Sequence, residues 1–260
     1  SKRLTLTAMP FMSPPVIRLL SARQCPSPLE VTRLSFFAWF QANSDSHEKE
    51  TPRGTRCGNR DRPHGPDFDV EGHYDTWATA YDDDLLNEYG YIAPRIAADA
   101  FEPLVQDKTQ PVIDLACGTG LVGRELNRRG YTCIDGLDLS KGMLTKAEGL
   151  GIYRELMQED LTRRTSIQDG VYPSLICVGS FASGHLGPEH LREIIRVVRP
   201  SAPIVIYMNA EHFDVKNFPG TLNKLEDEGL WHALSVEDSN YMDQIDRRGK
   251  LIVARSGRAT

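Results

Sequence analysis

At residues 111–123 the chain reads PVIDLACGTGLVG, and this stretch decides the fold. Apolar residues lead into Asp114, two glycines flank Thr119, and apolar residues resume at helical spacing after Gly120. This order predicts a strand, a tight turn and a helix. Because glycine lets the backbone take positive φ angles and approach a ligand closely, the turn is expected to bind a nucleotide-like molecule.

Spacing alone leaves two cofactors open at this turn. Residues 118–123 satisfy the dinucleotide fingerprint G-x-G-x-x-G, and Asp138 ends the next predicted strand near the offset of about 20 residues typical of a ribose-binding acid. The carboxylate of Asp114 favours S-adenosylmethionine over NAD. It would repel a pyrophosphate, whereas it would attract the ammonium and sulfonium of S-adenosylmethionine.

Two groups of residues resemble a known family. Residues 112–120 (VIDLACGTG), with 136–140 (GLDLS) and 143–144 (ML), resemble motifs I and II of the class I S-adenosylmethionine-dependent methyltransferases. The resemblance runs from about His73 to the C-terminus. YDTWA at residues 74–78, YD at 81–82 and APR at 93–95 narrow it to the branch of the Williams–Beuren-region methyltransferase-like proteins.

The fold expected from this pattern is α/β and Rossmann-like. Alternating strands and helices predict a parallel sheet with helices on both faces and a ligand at the carboxyl ends of the strands. Two strand-like runs near the C-terminus predict a closing antiparallel hairpin, and the resemblance implies a seven-stranded, mostly parallel sheet. Beyond the first strand, we expect strands at 131–138, 152–157, 173–178, 203–208, 231–236 and 251–254, and helices at about 93–105 and 221–229.

The resemblance also implies a set of cofactor contacts. Backbone around Ala116, Cys117 and Gly118 would line the methionine tail, and Asp114 would bond its ammonium directly or through water. The two oxygens of Asp138 would accept from both ribose hydroxyls. The complete set expected to bind the cofactor is Asp114, Ala116, Cys117, Gly118, Gly120, Asp138, Leu139, Met143, Asp160, Leu161, Tyr74, Trp77 and Tyr81.

Within that set, Leu139 and Met143 would sandwich the adenine. Asp160 would accept from the adenine amino group, a role that Glu159 could take if the loop shifted, and the Leu161 amide would donate to the ring. The aromatic residues Tyr74, Trp77 and Tyr81 have the spacing of one helix face. They are expected to form a lid helix over the cofactor or, alternatively, to pack in the core.

Methyl transfer needs alignment and exclusion of water more than a dedicated catalytic group. His185, in the loop after the fourth strand, is the candidate base or substrate contact; the alternative is a histidine satisfied within the loop. Residues 177–180 (CVGS) stand where amide and adenine-amino methyltransferases carry [D/N]-P-P-[Y/F]. We therefore expect a small-molecule acceptor.

Other functions stay open at this stage. A protein methyltransferase and a cofactor-binding scaffold without turnover are alternatives, and an NAD-dependent oxidoreductase is a weaker one. The 260 residues carry a formal charge of −6, which argues against a nucleic-acid partner. We expect a monomer with no membrane span, and no metal site because no C-x-x-C pair occurs.

Residues 1–70 are expected to be a disordered or flexible extension, and 71–260 the methyltransferase domain with its lid helices. Before residue 41 the extension holds five basic residues and one acid, with many Ser and Thr. This composition is typical of organelle transit peptides, although its prolines disfavour a long helix. We expect a cytoplasmic protein, with mitochondrial targeting as the alternative.

Overall fold

The computed structural model describes residues 69–182 and 185–257 of the chain. The predictions for the N-terminal extension therefore concern residues that lie almost entirely outside the described part. None of the helices in these two ranges is long and apolar enough to cross a membrane.

The described residues form one seven-stranded sheet. Its strands lie in the order β3-β2-β1-β4-β5-β7-β6, and all neighbouring pairs are parallel except those that β7 makes with β5 and β6. This confirms the predicted mostly parallel sheet with a C-terminal antiparallel hairpin. The strands are β1 (Val112–Leu115), β2 (Ile134–Asp138), β3 (Tyr153–Gln158), β4 (Leu175–Val178), β5 (Pro203–Asn209), β6 (Trp231–Asn240) and β7 (Arg248–Ser256).

Helices cover both faces of the sheet and precede it in the chain. Single 3₁₀ turns follow α3 and precede α6, and a π-helical turn at Asp84–Glu88 extends α2. The α-helices are α1 (Val70–Trp77), α2 (Tyr81–Asp83), α3 (Ala93–Phe101), α4 (Leu121–Arg128), α5 (Lys141–Glu148), α6 (Leu191–Arg196), α7 (Ala210–Val215) and α8 (Phe218–Asp227).

Alternation along the strands supplies a core on each face. Ile113 and Leu115 of β1 pack in a core that includes Leu222 of α8. Val112, one residue away, lies in the opposite core with Phe101 of α3. Because both faces of β1 are buried, its ends are fixed, and the turn that follows it is held at the carboxyl edge of the sheet.

The prediction that Tyr74, Trp77 and Tyr81 share one helix face was wrong. α1 ends at Trp77, a turn follows at residues 78–80, and Tyr81 begins α2. The three rings nevertheless meet, with the Trp77 and Tyr81 centroids 4.5 Å apart and those of Tyr74 and Tyr81 6.1 Å apart. The Trp77 indole donates to Asp84 Oδ2 at 2.7 Å, which bonds the two short helices across the turn.

Candidate cofactor-binding site

A pocket opens at the carboxyl ends of β1, β2, β3 and β4, where the topology predicts a ligand. It gathers most of the predicted site residues, although they come from separate parts of the chain. Those on its wall are Tyr74, Tyr81, Ala116, Gly118, Asp138, Leu139, Met143, Asp160, Leu161 and His185.

The turn after β1 leaves room for a ligand at Gly118. Ala116 and Gly118 both have a φ of 55°, so the chain turns sharply at this point. A β-carbon built on Gly118 would meet no other atom within 4 Å, and Gly118 lies on the pocket wall. The space that a side chain would fill is therefore open to the pocket.

Asp138 lies between two backbone donors at the end of β2. Its Oδ2 accepts from the Gly118 N–H at 2.8 Å and its Oδ1 accepts from the Ser140 N–H at 2.9 Å. Burial raises the pKa of Asp138, while these backbone hydrogen bonds act in the opposite direction. Each carboxylate oxygen can accept a further hydrogen bond, so the group can accept from a vicinal diol.

Apolar and polar groups line the other side of the pocket beyond β2 and β3. Leu139 and the buried Met143 offer apolar surface, and Asp160 follows β3. The Oδ1 of Asp160 accepts from the Thr162 N–H at 2.9 Å and from its hydroxyl at 2.6 Å. Glu159 also lines the pocket, so both acids proposed for the adenine amino group are present there.

Aromatic rings form the pocket wall near the end of β4. The Tyr74 ring lies edge-on to the His185 ring, with centroids 5.4 Å apart, and Tyr81 lies beside Tyr74. Ser180 lines the same end of the pocket. Its hydroxyl lies 3.0 Å from the Cys177 sulfur. Burial raises the pKa of Cys177 to about 12, so this cysteine is a neutral thiol at neutral pH.

Four residues predicted to bind the cofactor lie away from the pocket wall. They are Asp114, Cys117, Gly120 and Trp77. Asp114 is fully buried; its Oδ2 accepts from the Tyr153 hydroxyl at 2.7 Å, and no described group bonds its Oδ1. Burial raises the pKa of Asp114 to about 7. The structure therefore places this acid behind the turn.

Several wall residues carry no signal strong enough for the sequence to predict them. Val70 and Glu71 belong to α1, and Ser180 belongs to an irregular loop. Ser140 caps α5, where its hydroxyl accepts from the Met143 N–H at 3.1 Å. Ser140 lies on the pocket wall next to Leu139, which precedes it in the chain.

The charge of the wall is entirely acidic. Its described residues include four carboxylates, those of Glu71, Asp138, Glu159 and Asp160, and no lysine or arginine. Burial raises the pKa of Glu71, and the negative charge of Asp75 adds to that shift. Such a wall attracts cations and disfavours phosphates. No cluster of three or more potential metal-binding side chains occurs in the described part of the chain.

Residues 112–201, from β1 to the segment before β5, match a family model described as a methyltransferase domain. The strand order and the pocket at the carboxyl edge agree with that match. The chain belongs to the class I S-adenosylmethionine-dependent methyltransferases, and membership of this family implies use of S-adenosylmethionine. It is 32% identical over 183 residues to methyltransferase-like protein 27 of Homo sapiens, a match covering 66% of this chain and 72% of the relative.

Solved structures share the fold at low sequence identity. A Methanococcus maripaludis protein assigned to the S-adenosyl-L-methionine-dependent methyltransferases is 18% identical, with a TM-score of 0.53 over 72% of this chain and 94% of the other. The [4+2]-cyclase SpnF is 15% identical, with a TM-score of 0.57 over 73% of this chain and 96% of the other. At these identities the likeness concerns the fold alone, which hosts more than one chemistry.

Proposed function

We propose that this chain transfers a methyl group from S-adenosylmethionine to a small-molecule acceptor by in-line displacement. The observation that carries the proposal is the position of Asp138. This acid ends β2, lies on the pocket wall, and has both oxygens placed by backbone donors beside the open space at Gly118. In this proposal Asp138 accepts from the two ribose hydroxyls.

The remaining contacts follow from the order of groups along the wall. Leu139 and Met143 hold the adenine between them, and Asp160 accepts from its amino group. The turn at Ala116 and Gly118 then faces the methionine tail. Asp114, which lies behind the turn, acts on the tail's ammonium through the field of its charge or through water.

The acidic wall favours this cofactor over NAD. A pyrophosphate carries two negative charges and is normally held by helix N-terminal amides or basic side chains. Here four carboxylates and no lysine or arginine appear among the described wall residues. S-Adenosylmethionine supplies an activated methyl group on a sulfonium, and a wall of this charge stabilises such a cation.

The protein's own contribution is to align the acceptor and exclude water. The rings of Tyr74, Tyr81 and His185 enclose the end of the pocket beside β4. His185 is the group there that can take a proton from an O–H or N–H acceptor. A neutral acceptor would lose its proton to His185 as its bond to the methyl carbon forms and the carbon–sulfur bond breaks, with S-adenosylhomocysteine as the leaving group.

The chemistry of this end favours an uncharged acceptor. Its described wall consists of tyrosine and histidine rings, Ser180, Gly179 and the apolar Val178 and Leu186. Rings offer stacking surface, and the Ser180 hydroxyl can orient one polar group of the acceptor. An anionic acceptor would meet no lysine or arginine among the described residues of this wall and would be repelled by the carboxylates nearby.

Methyl transfer from labelled S-adenosylmethionine tests the proposal. The protein would be incubated with the labelled cofactor and a tissue extract divided into a fraction below about 1 kDa and a protein fraction. We expect label in the small-molecule fraction, dependent on Asp138. Label confined to the protein fraction would favour a protein acceptor. Cofactor binding without labelling of either fraction would favour a scaffold.

A further inference from the structure

The dipeptide Tyr-Asp occurs twice in the segment before the sheet, at residues 74–75 and 81–82. In both cases the tyrosine lines the pocket. In both cases the aspartate accepts a hydrogen bond from a residue in a loop beside the pocket. We call residues 74–75 the first clip and residues 81–82 the second clip.

The first clip bonds the start of α5. Asp75 Oδ1 accepts from the Ser140 hydroxyl at 2.5 Å and from the Gly142 N–H at 2.7 Å. Ser140 is also one of the residues that hold Asp138, through its N–H at 2.9 Å. A continuous chain of hydrogen bonds therefore runs from Asp75 through Ser140 to Asp138.

The second clip bonds the turn after β1. The hydroxyl of Thr119 donates to Asp82 Oδ1, and Thr119 is 3% exposed. The residue before Thr119 is Gly118, whose N–H also donates to Asp138, at 2.8 Å. The two clips thus act on the two sides of one carboxylate, one through Ser140 and one through the glycine turn.

A glycine permits the close contact of the first clip. A β-carbon at Gly142 would lie 3.0 Å from the Asp75 α-carbon and 3.1 Å from its Oδ1. A side chain there would force α1 to move by a few tenths of an ångström. A substitution at Gly142 would therefore displace α1 without removing the Asp75 carboxylate.

We propose that Asp75 and Asp82 are positioning residues of the cofactor site. By docking α1 and α2, they hold Ser140 and the glycine turn at the spacing at which Asp138 accepts from the ribose, and they place Tyr74 and Tyr81 over the pocket. Cofactor binding and lid docking are then coupled, and each strengthens the other. This inference rests on the proposed function, because it takes Asp138 as the ribose-binding acid.

Calorimetry with S-adenosylhomocysteine tests the proposal on the full chain. Asp75→Ala removes two hydrogen bonds to a charged acceptor. We therefore expect the dissociation constant of S-adenosylhomocysteine from this variant to be about tenfold or more above that of the wild type. Asp75→Asn keeps an oxygen that accepts both bonds and should stay within about threefold of the wild type. The matched control is Asp83→Ala, which removes an exposed acid of α2 whose bonded partner is Asn87.

Two further variants separate positioning from folding. Gly142→Ala keeps the Asp75 carboxylate but displaces α1, and should also weaken binding. In a double-mutant cycle, Asp82→Ala and Thr119→Val should be non-additive in affinity, because each removes the same hydrogen bond. Hydrogen exchange of residues 70–78 should slow on addition of S-adenosylhomocysteine in the wild type and not in Asp75→Ala.

The outcomes distinguish this inference from the proposed function. If the wild type fails to bind S-adenosylhomocysteine, the proposed function is contradicted. If the wild type binds and Asp75→Ala binds equally well, the coupling is overturned. Equal loss in Asp75→Asn and Asp75→Ala would overturn the hydrogen-bond account. Loss in Asp75→Ala with affinity retained in Asp75→Asn and Asp83→Ala would establish it.

Discussion

The Tyr153 hydroxyl donates to Asp114 Oδ2 at 2.7 Å, which joins β3 to β1 across the intervening β2. Glycines make this contact possible. A β-carbon at Gly123 would lie 2.3 Å from the Tyr153 hydroxyl, and one at Gly136 would lie 3.0 Å from its ring. The residues 118–123 resemble a ligand-binding fingerprint. Gly123, the last glycine of this pattern, nevertheless leaves room for the Tyr153 side chain rather than for a ligand.

Gly123→Ala should destabilise the fold. The added methyl group would overlap the Tyr153 hydroxyl and force the ring or α4 to move, at a cost of about 1–3 kcal/mol. Denaturant unfolding measures the change in the free energy of unfolding. The control is the same substitution in a Tyr153→Leu background, where the overlapping atoms are gone and the cost should shrink. An equal cost in both backgrounds would contradict the contact.

Asp114→Asn should change how stability depends on pH. The pKa of Asp114 is about 7 in the folded chain, against an ordinary value of 3.8, and burial is the main cause. The folded state therefore holds a proton that the unfolded state releases between about pH 4 and 7, so this group's contribution to stability falls as the pH rises through that range. The asparagine side chain of the variant carries no such penalty and can still accept from Tyr153.

The measurement is the melting temperature of ligand-free wild type and variant from pH 5 to pH 8. Titrating groups far from Asp114 change both proteins alike and cancel in the difference, whereas Asp138, whose charge acts on Asp114, contributes to it. The melting temperature of the variant should rise relative to that of the wild type by a few degrees as the pH rises, since one pKa unit corresponds to about 1.4 kcal/mol. A difference that stays constant across this range would show that Asp114 does not titrate there.

Asp138→Ala should abolish measurable cofactor binding. Two hydrogen bonds to a charged acceptor are expected to contribute roughly a hundredfold or more to affinity. Calorimetry with S-adenosylmethionine measures the loss, and circular dichroism verifies that the fold persists. The exposed Asp227→Ala serves as the matched control and should bind as the wild type does. Unchanged affinity in Asp138→Ala would remove this acid from the site.

His185→Ala should separate chemistry from cofactor binding once an acceptor is known. If His185 takes the acceptor's proton, kcat should fall by about a hundredfold or more, and the affinity for S-adenosylmethionine should change little. Full turnover in the variant would refute the role of base and leave His185 as part of the wall.

The central part of the fold could be predicted because its signals are local. The buried run before Asp114, the glycine turn and the helix after it lie within a few residues of one another, and each has a distinct pattern. Strand ends place Asp138 and Asp160 at one edge, so their meeting in the pocket follows from topology.

Contacts between distant residues left no such signal. Tyr153 reaches Asp114 from 39 positions away, and its ring explains glycines whose spacing suggests a ligand. The hairpin strands β6 and β7 run longer than expected because polar cross-strand pairs, such as Lys250 with Asp238 at 2.9 Å, continue the ladder into exposed sequence. Alternation of apolar and polar residues cannot reveal a strand whose two faces are both polar.

The most direct test of the account is calorimetric titration of the purified chain with S-adenosylmethionine and, separately, with NAD. The acidic pocket wall and the diol-binding geometry of Asp138 predict saturable binding of S-adenosylmethionine at one site and no measurable heat with NAD. Preferential binding of NAD, or failure to bind S-adenosylmethionine at all, would contradict it.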